Sequence, residues 1–492
     1  MATEVNNFFV NKIAQLKTEH PHDERLDSLV ELKNFISKKE IPKEGFELRE
    51  INEEEMDVLI KNLKGKKSLG LDWICGYSLK LAAYTLKEEL QILINLSIKK
   101  KEFVTKWKYT KVLPGWKNKG TRFELKFYRP ISNLSEVSKL VEKAVYCQMY
   151  EYLLINQLIH PNHHGFLKNC STATALQQIL DGWLQHLDNQ KLVAGLFLDL
   201  SAGFDIINHR ILLKKIKQYN FTDSTMEWFS SYLLDRYQCV QVESSFSPFL
   251  KVPWGVPQGS ILGPLLFLFY INELPDIVCN DTTDNKDELV VYADDNTPFT
   301  ADKDPVVLQS KIQLEAITVT DWFSRNDMIV SGDKTKLIVV GTKAARKIKL
   351  VDKDITLSCH VAGEATVETT SEKLLGVIVN NTATWHHHIH GDHEHQGLLK
   401  QLSSRVGMLK KLRRVMNPRK LKTIMEGLFT SKLIYCMTVW GRVWNIPGSM
   451  DEETRVSSSL TKDDLRRLQV LQNKCSRIIY TSKYDTPSNI LF

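Results

Sequence analysis

The chain is 492 residues long, 43% hydrophobic and 25% charged, with a formal net charge of +7, a length that suits roughly three lobes at about 150 residues per domain. Its longest apolar run, Leu265–Ile271, falls far short of the ~20 residues a membrane span needs, and MATEVNNFFVNKI lacks the basic flank and apolar core of a signal peptide. Eight cysteines are scattered without a CxxC pair, which argues against a zinc ribbon and for reduced packing residues inside a cell.

In chain order, the first ~95 residues have a helical pattern with acidic patches such as EINEEEMDVLIKNLK, a turn at KSLGLD and a long helical stretch from Tyr77 to Lys101. TKVLPGW reads as a strand leading into the basic loop KNKGTRFELKFYRP. Ser135 to about Leu158 reads as a helix with Val137, Leu140, Val141, Val145 and Met149 on one face. The middle third alternates. LVAGLFLDL, YQCVQVES, LVVYADD, KTKLIVVG and KLLGVIV read as strands. DIINHRILLKKIKQY, SILGPLLFLFYIN and VVLQSKIQLEAITVTDWFSRN read as helices, and DTTDNKDE (281–288) as a surface loop. Helices packed on one mainly antiparallel sheet make an α+β layer. The last ~110 residues are mostly helical and basic.

Two features stand out from this background. LFLDLSAGFD ends an apolar strand at Asp199, and LVVYADD ends another at Asp294 and Asp295. Neighbouring carboxylates repel, and burying one unpaired costs several kcal/mol or shifts its pKa. A cation relieves both penalties. Three carboxylates brought to one sheet edge form an oxygen site suited to Mg²⁺, and two such ions fit an in-line phosphoryl transfer. Against this, any single Asp serves equally as an N-cap or turn residue. Small Ser201, Ala202 and Gly203 let backbone N–H groups face a triphosphate. Phe204 is either a core aromatic or an edge that clashes with a 2′-hydroxyl.

The second feature is charge. Nine Lys or Arg residues and no acid lie between Gln396 and Met425. Leu399, Leu402, Val406, Leu409 and Leu412 form a stripe on the same segment. Such a basic amphipathic helix is a solvated face, a membrane-surface helix or a nucleic-acid clamp. The tract WHHHIHGDHEH, with six histidines and two acids, is either a metal site or a solvated loop.

LFLDLSAGFD, GVPQGSILGPLLFLFYINEL and VVYADD, in this order, resemble the palm motifs of reverse transcriptases, and most of all those of non-LTR (LINE-type, jockey-like) retrotransposons. KSLGLD and VLPGWKNKG with FYRPISNLSEVSKLVEKAV resemble the fingers motifs. WFSRNDMIVSGDKTKLIVVG and KLLGVIVNN resemble the following motif and the primer grip, and SSRVGMLKKLRRV the thumb. The likeness covers most of the chain from about residue 60.

The resemblance implies a right-hand polymerase fold: a helical N-terminal extension (1–95), fingers and an antiparallel palm sheet backed by helices (96–380), and a helical basic thumb and C-terminal region (381–492). It implies an RNA-directed DNA polymerase that adds dNTPs to a DNA 3′ end on an RNA template. Asp199, Asp294 and Asp295, with the Leu200 carbonyl, would hold two Mg²⁺ ions, Mn²⁺ being the alternative. Arg129, Lys117 and Lys119 would hold the triphosphate, Ser201, Ala202, Gly203 and Phe204 would face the nucleotide, and Gln258 and Gly259 would line the nucleotide and template pocket. Lys334 would protonate pyrophosphate. Leu375 and Gly376 would support the primer, and Lys400, Arg405, Lys410, Lys411, Arg413 and Arg414 would contact the duplex backbone, which needs phosphate contacts indifferent to sequence.

The chain also departs from the family pattern. Leu167 stands where the family usually has Arg, Ser331 where it has Asn, Ala202 where it has Lys, and Gly203 where it has Ala. None removes an acid. The departures keep a second reading open, a decayed polymerase that binds RNA or DNA without polymerising. A third, an RNA-templated RNA polymerase, is opposed by Phe204. Full-length relatives carry an endonuclease ahead of the polymerase, so target nicking is expected to come from elsewhere. The expected partners are an RNA template, a DNA primer or target and dNTPs, with no membrane, in the nucleus or cytoplasm.

Overall fold

A computed structural model describes residues 1–118, 120–278, 288–441, 460–480 and 482. The strands are β1 (Tyr109–Trp116), β2 (Tyr128–Asn133), β3 (Leu192–Phe197), β4 (Tyr237–Val242), β5 (Ser245–Phe246), β6 (Leu250–Lys251), β7 (Glu288–Tyr292), β8 (Asp295–Asp302), β9 (Lys336–Val340), β10 (Ser358–Val361), β11 (Glu364–Thr369), β12 (Ser371–Leu374) and β13 (Val377–Asn380). They do not form the single sheet that the sequence suggests. They divide into a five-stranded sheet, a six-stranded sheet and a two-stranded hairpin. The chain forms two compact units, each assembled from separate stretches of sequence.

The first unit comprises Met1–Phe166, Asp199–Asn280 and Ile317–Ser331. Its sheet runs β2-β1-β4-β5, with β6 also on β4. β1 is antiparallel to β2 and parallel to β4. The helix Glu136–Ile155 buries Leu140, Val141, Val145 and Met149 of the expected face and leaves Val137 only partly buried. The helix Gly263–Ile271 is buried on every side, as its unbroken apolar sequence requires. Its first turn is held from outside: the Glu142 carboxylate accepts from Ile261 N at 2.6 Å and Leu262 N at 3.2 Å, and burial pushes that carboxyl's pKa up. The expected stretch from Tyr77 to Lys101 is two helices, Gly76–Ala82 and Lys87–Lys99. Tyr84 and Thr85, both weak helix formers, lie in the break.

The first helix, Ala2–Glu19, packs Val5 and Phe9 against Val112 of β1 and Val240 of β4. Near its other end Lys17 pairs with Asp327 at 2.7 Å, the two side chains only 10% and 6% exposed. The Glu31–Arg325 pair at 2.5 Å adds a second tie within this unit.

The second unit comprises Leu167–Leu198, Asp281–Ala316 and Gly332–Phe492. Its sheet runs β10-β11-β9-β3-β8-β7. β3 is antiparallel to both neighbours, β8 and β9, and its residues are almost all buried. The helix Thr172–Asp188 covers this sheet with Leu176, Ile179 and Trp183, and the Trp183 ring meets Phe299 of β8 edge-on. KLLGVIV is not one strand but the hairpin β12–β13, with Leu374 opposite Val377. Leu375 (φ +45) and Gly376 (φ +89) form its two-residue turn, where positive φ at both positions matches strand twist. The helices Leu398–Leu412 and Lys462–Ile479 carry buried Leu402, Leu409, Leu468 and Leu471 into the same core. Most of the expected surface loop DTTDNKDE lies outside the described residues.

Candidate functional site

Asp294 and Asp295 owe their position to a hairpin rather than to a strand end. β7 stops at Tyr292, and Tyr292 pairs with Asp295, the first residue of β8. Ala293 takes φ +58 in the two-residue turn. Asp294 is therefore a turn residue and Asp295 a strand residue, and both are exposed. The strand beside β3 is β8, not β7 as a simple pairing of the two acidic strands would have it. The β3–β8 ladder ends in a bridge, with Leu198 N donating to Asn296 O at 3.0 Å. Leu198 is one residue short of Asp199, and Asn296 one residue past Asp295.

Asp199 is half-buried. Its carbonyl accepts from Ser331 N at 2.8 Å, and Ser201 N donates to Ile329 O at 2.9 Å. These bonds flank the antiparallel bridge Leu200–Val330 and do not involve the Leu200 carbonyl. Ser331, the departure from Asn, is built in: its hydroxyl lies 2.6 Å from that of Ser201. The chain after Asp199 does not run straight into a helix. Ala202 takes φ +57, and Asp205 N and Ile206 N both donate to its carbonyl. The helix starts only at His209, where Asn208 Oδ1 accepts from Arg210 N and Ile211 N. Gly203 is buried. Phe204 stacks on Phe267 at 4.4 Å and meets Phe166 edge-on at 5.7 Å.

Within the first unit, hydrogen bonds stitch three motifs together. Val256 N donates to Phe204 O at 2.9 Å, Gly255 N to Ile207 O at 2.8 Å, and Ser132 N to Gln258 O at 2.9 Å. LDLSAGFD, GVPQG and YRPIS thus share one local frame. Gly259 (φ +120) sits so close to β2 that a Cβ would lie 2.6 Å from the Ser132 carbonyl. The Gln258 amide donates to both carboxylate oxygens of Asp205 at 2.8 Å. Burial raises the Asp205 carboxyl pKa to about 6, against the lowering effect of that hydrogen bond. In the sequence Asp205 reads only as the polar start of an expected helix, and its bond to Gln258 is not foreseen there. Its only signal there is an acid directly after Phe204.

Arg129 is exposed on β2, opposite Gly115 of β1. Lys117 follows β1 and binds back to the opposing chain, its N to Phe127 O at 2.8 Å and its Nζ to Lys126 O at 2.7 Å. Lys119 lies outside the described residues. In the second unit Lys334 is exposed at the end of the short 3₁₀ turn Gly332–Lys334. The Leu375 carbonyl accepts from the Tyr435 hydroxyl at 2.6 Å, and Gly376 lies against the same ring. Lys400, Lys410 and Lys411 are exposed on Leu398–Leu412, with Arg413 and Arg414 just past its end. Arg405 differs, being half-buried and donating to the Leu428 carbonyl.

Among the described residues no three His, Cys, Asp or Glu side chains gather closely enough to enclose a metal ion by themselves. Histidines of the 386–395 tract take separate partners: His387 with Asn380, His390 with Asp464 at 2.6 Å, and His395 with Asp392. No helix among the described residues is long and apolar enough to cross a membrane.

Residues 116–379 match the family model described as reverse transcriptase (RNA-dependent DNA polymerase). The chain is 25% identical over 475 residues to the probable RNA-directed DNA polymerase from transposon BS of Drosophila melanogaster, covering 96% of this chain and 48% of that protein. It is 26% identical over 282 residues to the RNA-directed DNA polymerase from mobile element jockey of the same species, covering 57% and 31%. With the probable RNA-directed DNA polymerase from transposon X-element it shares 23% identity over 469 residues, 95% of this chain and 47% of the other. The chain therefore spans half or less of the length of these relatives.

Proposed function

Because this chain belongs to the reverse transcriptase (RNA-dependent DNA polymerase) family, we propose that it is an RNA-directed DNA polymerase of non-LTR retrotransposon type. It would extend a DNA 3′ end with dNTPs on an RNA template, inside the cell. The observation that carries the reading is the pairing of Leu198 with Asn296, one residue short of Asp199 and one past Asp295, within a chain that keeps all three acids. Their donors are hard oxygens, which fit Mg²⁺, and that ion binds through one or two carboxylates, waters and substrate phosphates rather than an all-protein cage. Asp199, Asp294, Asp295 and the Leu200 carbonyl would hold it. When bound, such ions activate the attacking 3′-hydroxyl and stabilise the leaving oxygen.

The chain's own residues supply the rest. Arg129, Lys117 and Lys119 offset the triphosphate charge. The Ser201–Phe204 turn faces the sugar and phosphates, with Phe204 held by Phe267 and Phe166 as a barrier to a 2′-hydroxyl. Gln258 and Gly259 line the base-pair pocket, and Lys334 gives a proton to pyrophosphate. The Leu375–Gly376 turn supports the primer. Lys400, Lys410, Lys411, Arg413 and Arg414 bind duplex phosphates, while Arg405 spends its hydrogen bond on the Leu428 carbonyl. In this reading the fingers and palm occupy about residues 96–380 and the thumb follows.

Primer extension on an RNA template, with dNTPs and rNTPs in parallel, tests the reading. Incorporation of dNTPs well above rNTPs is expected, and Phe204→Ala should narrow the difference. A preference for rNTPs in the unaltered protein would overturn it.

A further inference from the structure

Asp205 has no role in the reaction as described, yet it occupies the wall of the nucleotide pocket. The GVPQG backbone is held beside it by bonds that do not need its carboxylate: Gly255 N to Ile207 O, Val256 N to Phe204 O, and Ser132 N to Gln258 O. Gly255, at φ +77, lies close enough to the Asp205 backbone that a Cβ would sit 2.6 Å from its carbonyl oxygen. The Asp205 carboxylate instead takes the Gln258 side-chain amide as its donor. The two ends of a carboxamide are nearly the same shape, one a donor and the other an acceptor. An ionised carboxylate only accepts. With both Asp205 oxygens 2.8 Å from Gln258 Nε2, the donor end must face Asp205, and Oε1 is the end left for a substrate.

The position is a costly one for a carboxylate. Asp205 and Gln258 line a cavity of ≈ 70 Å³ with Phe9, Ile13, Arg236 and Trp254, and desolvation there disfavours the charged form. Arg236 is the cation on the same cavity wall, and Lys12 and Lys117 act on the carboxyl from farther away. A group held against its solvation preference beside a functional loop points to the site rather than to stability.

We propose that Asp205 is a positioning residue that fixes Gln258 with its carbonyl oxygen toward the incoming nucleotide, so that the pocket offers a defined hydrogen-bond acceptor. The inference rests on Gln258 lining the nucleotide pocket. Kinetics of dNTP incorporation by the unaltered chain, Asp205→Leu, Gln258→Ala and the double variant test it. Asp205→Leu should raise KM for dNTP about tenfold while kcat changes less than threefold. The double variant should be no worse than Gln258→Ala alone, because Asp205 acts only through Gln258. Losses that multiply in the double variant, or an unchanged KM in Asp205→Leu, overturn the proposal. Should Asp205→Leu fail to fold, Asp205→Asn keeps the shape with one accepting oxygen, and about a threefold rise is expected. A readout independent of turnover separates this proposal from the polymerase reading. In ¹⁵N-glutamine-labelled protein the Gln258 side-chain amide, assigned by its absence in Gln258→Ala, should titrate near pH 6 and cease to do so in Asp205→Asn. An amide indifferent to pH and to that substitution overturns the proposal even if the chain is inactive.

Discussion

Ser331 shows how a departure from a family pattern is accommodated at the scale of one residue. Its amide holds the Asp199 carbonyl and its hydroxyl meets Ser201, so it fixes the backbone on both sides of Leu200. Ser331→Ala should cost about 1 kcal/mol, the net worth of one hydrogen bond, and lower the thermal midpoint. An unchanged midpoint would show that the hydroxyl pair contributes nothing. The placing of Asp199, Asp294 and Asp295 beside apolar strands was legible in the sequence, because it is a local pattern. The link from Asp205 to Gln258 was not, because it joins positions 53 residues apart and leaves no local periodicity. Ser331 likewise read only as a departure, since its partner Ser201 lies 130 residues away.

At the scale of elements, strands and long helices were legible wherever the apolar period was unbroken, as in β3 and Glu136–Ile155. Turns were less so. KLLGVIV looks like one buried strand because Leu375 is as apolar as its neighbours, and only Gly376 hints at the reversal. Gly376→Val should be strained twice, by its φ of +89 and by the Tyr435 ring 3.0 Å from a Cβ. We expect a loss of about 1–2 kcal/mol together with weaker primer binding, measured by thermal melting and by duplex titration. The basic helix gives an electrostatic prediction. Lys410 and Lys411 are exposed on Leu398–Leu412, and replacing both with Ala should reduce the slope of log K against log salt by about 1.4–1.8. An unchanged slope would assign these charges to a solvated face.

For the whole molecule, the sequence predicts a succession of lobes, whereas the structure interleaves stretches of chain into two units. Such interleaving follows from strand pairings between distant segments, which no window of sequence reports. It also spreads titrating groups over both units. Burial holds His163 near pKa 3 and His388 near 4, both below the ordinary 6.5. The folded chain keeps these rings neutral while the unfolded chain takes up protons, so their contribution is fully present above about pH 6.5 and is lost as pH falls toward 4. For His388 alone the loss approaches about 3 kcal/mol. Thermal melts between pH 7 and 4 should show the decline, and His388→Gln should flatten part of it.

Asp199, Asp294 and Asp295 are proposed to form a working polymerase centre on an RNA template. Extension of a DNA primer on RNA with dNTPs and Mg²⁺, by the unaltered chain beside Asp294→Asn, tests it most directly. Extension is expected from the first and a loss on the order of 10³-fold in the second. Equal activity in both would contradict the assignment of the acids. No extension with Mg²⁺ or Mn²⁺, alongside tight and salt-sensitive duplex binding, would contradict the polymerase itself and favour a chain that holds nucleic acid without copying it.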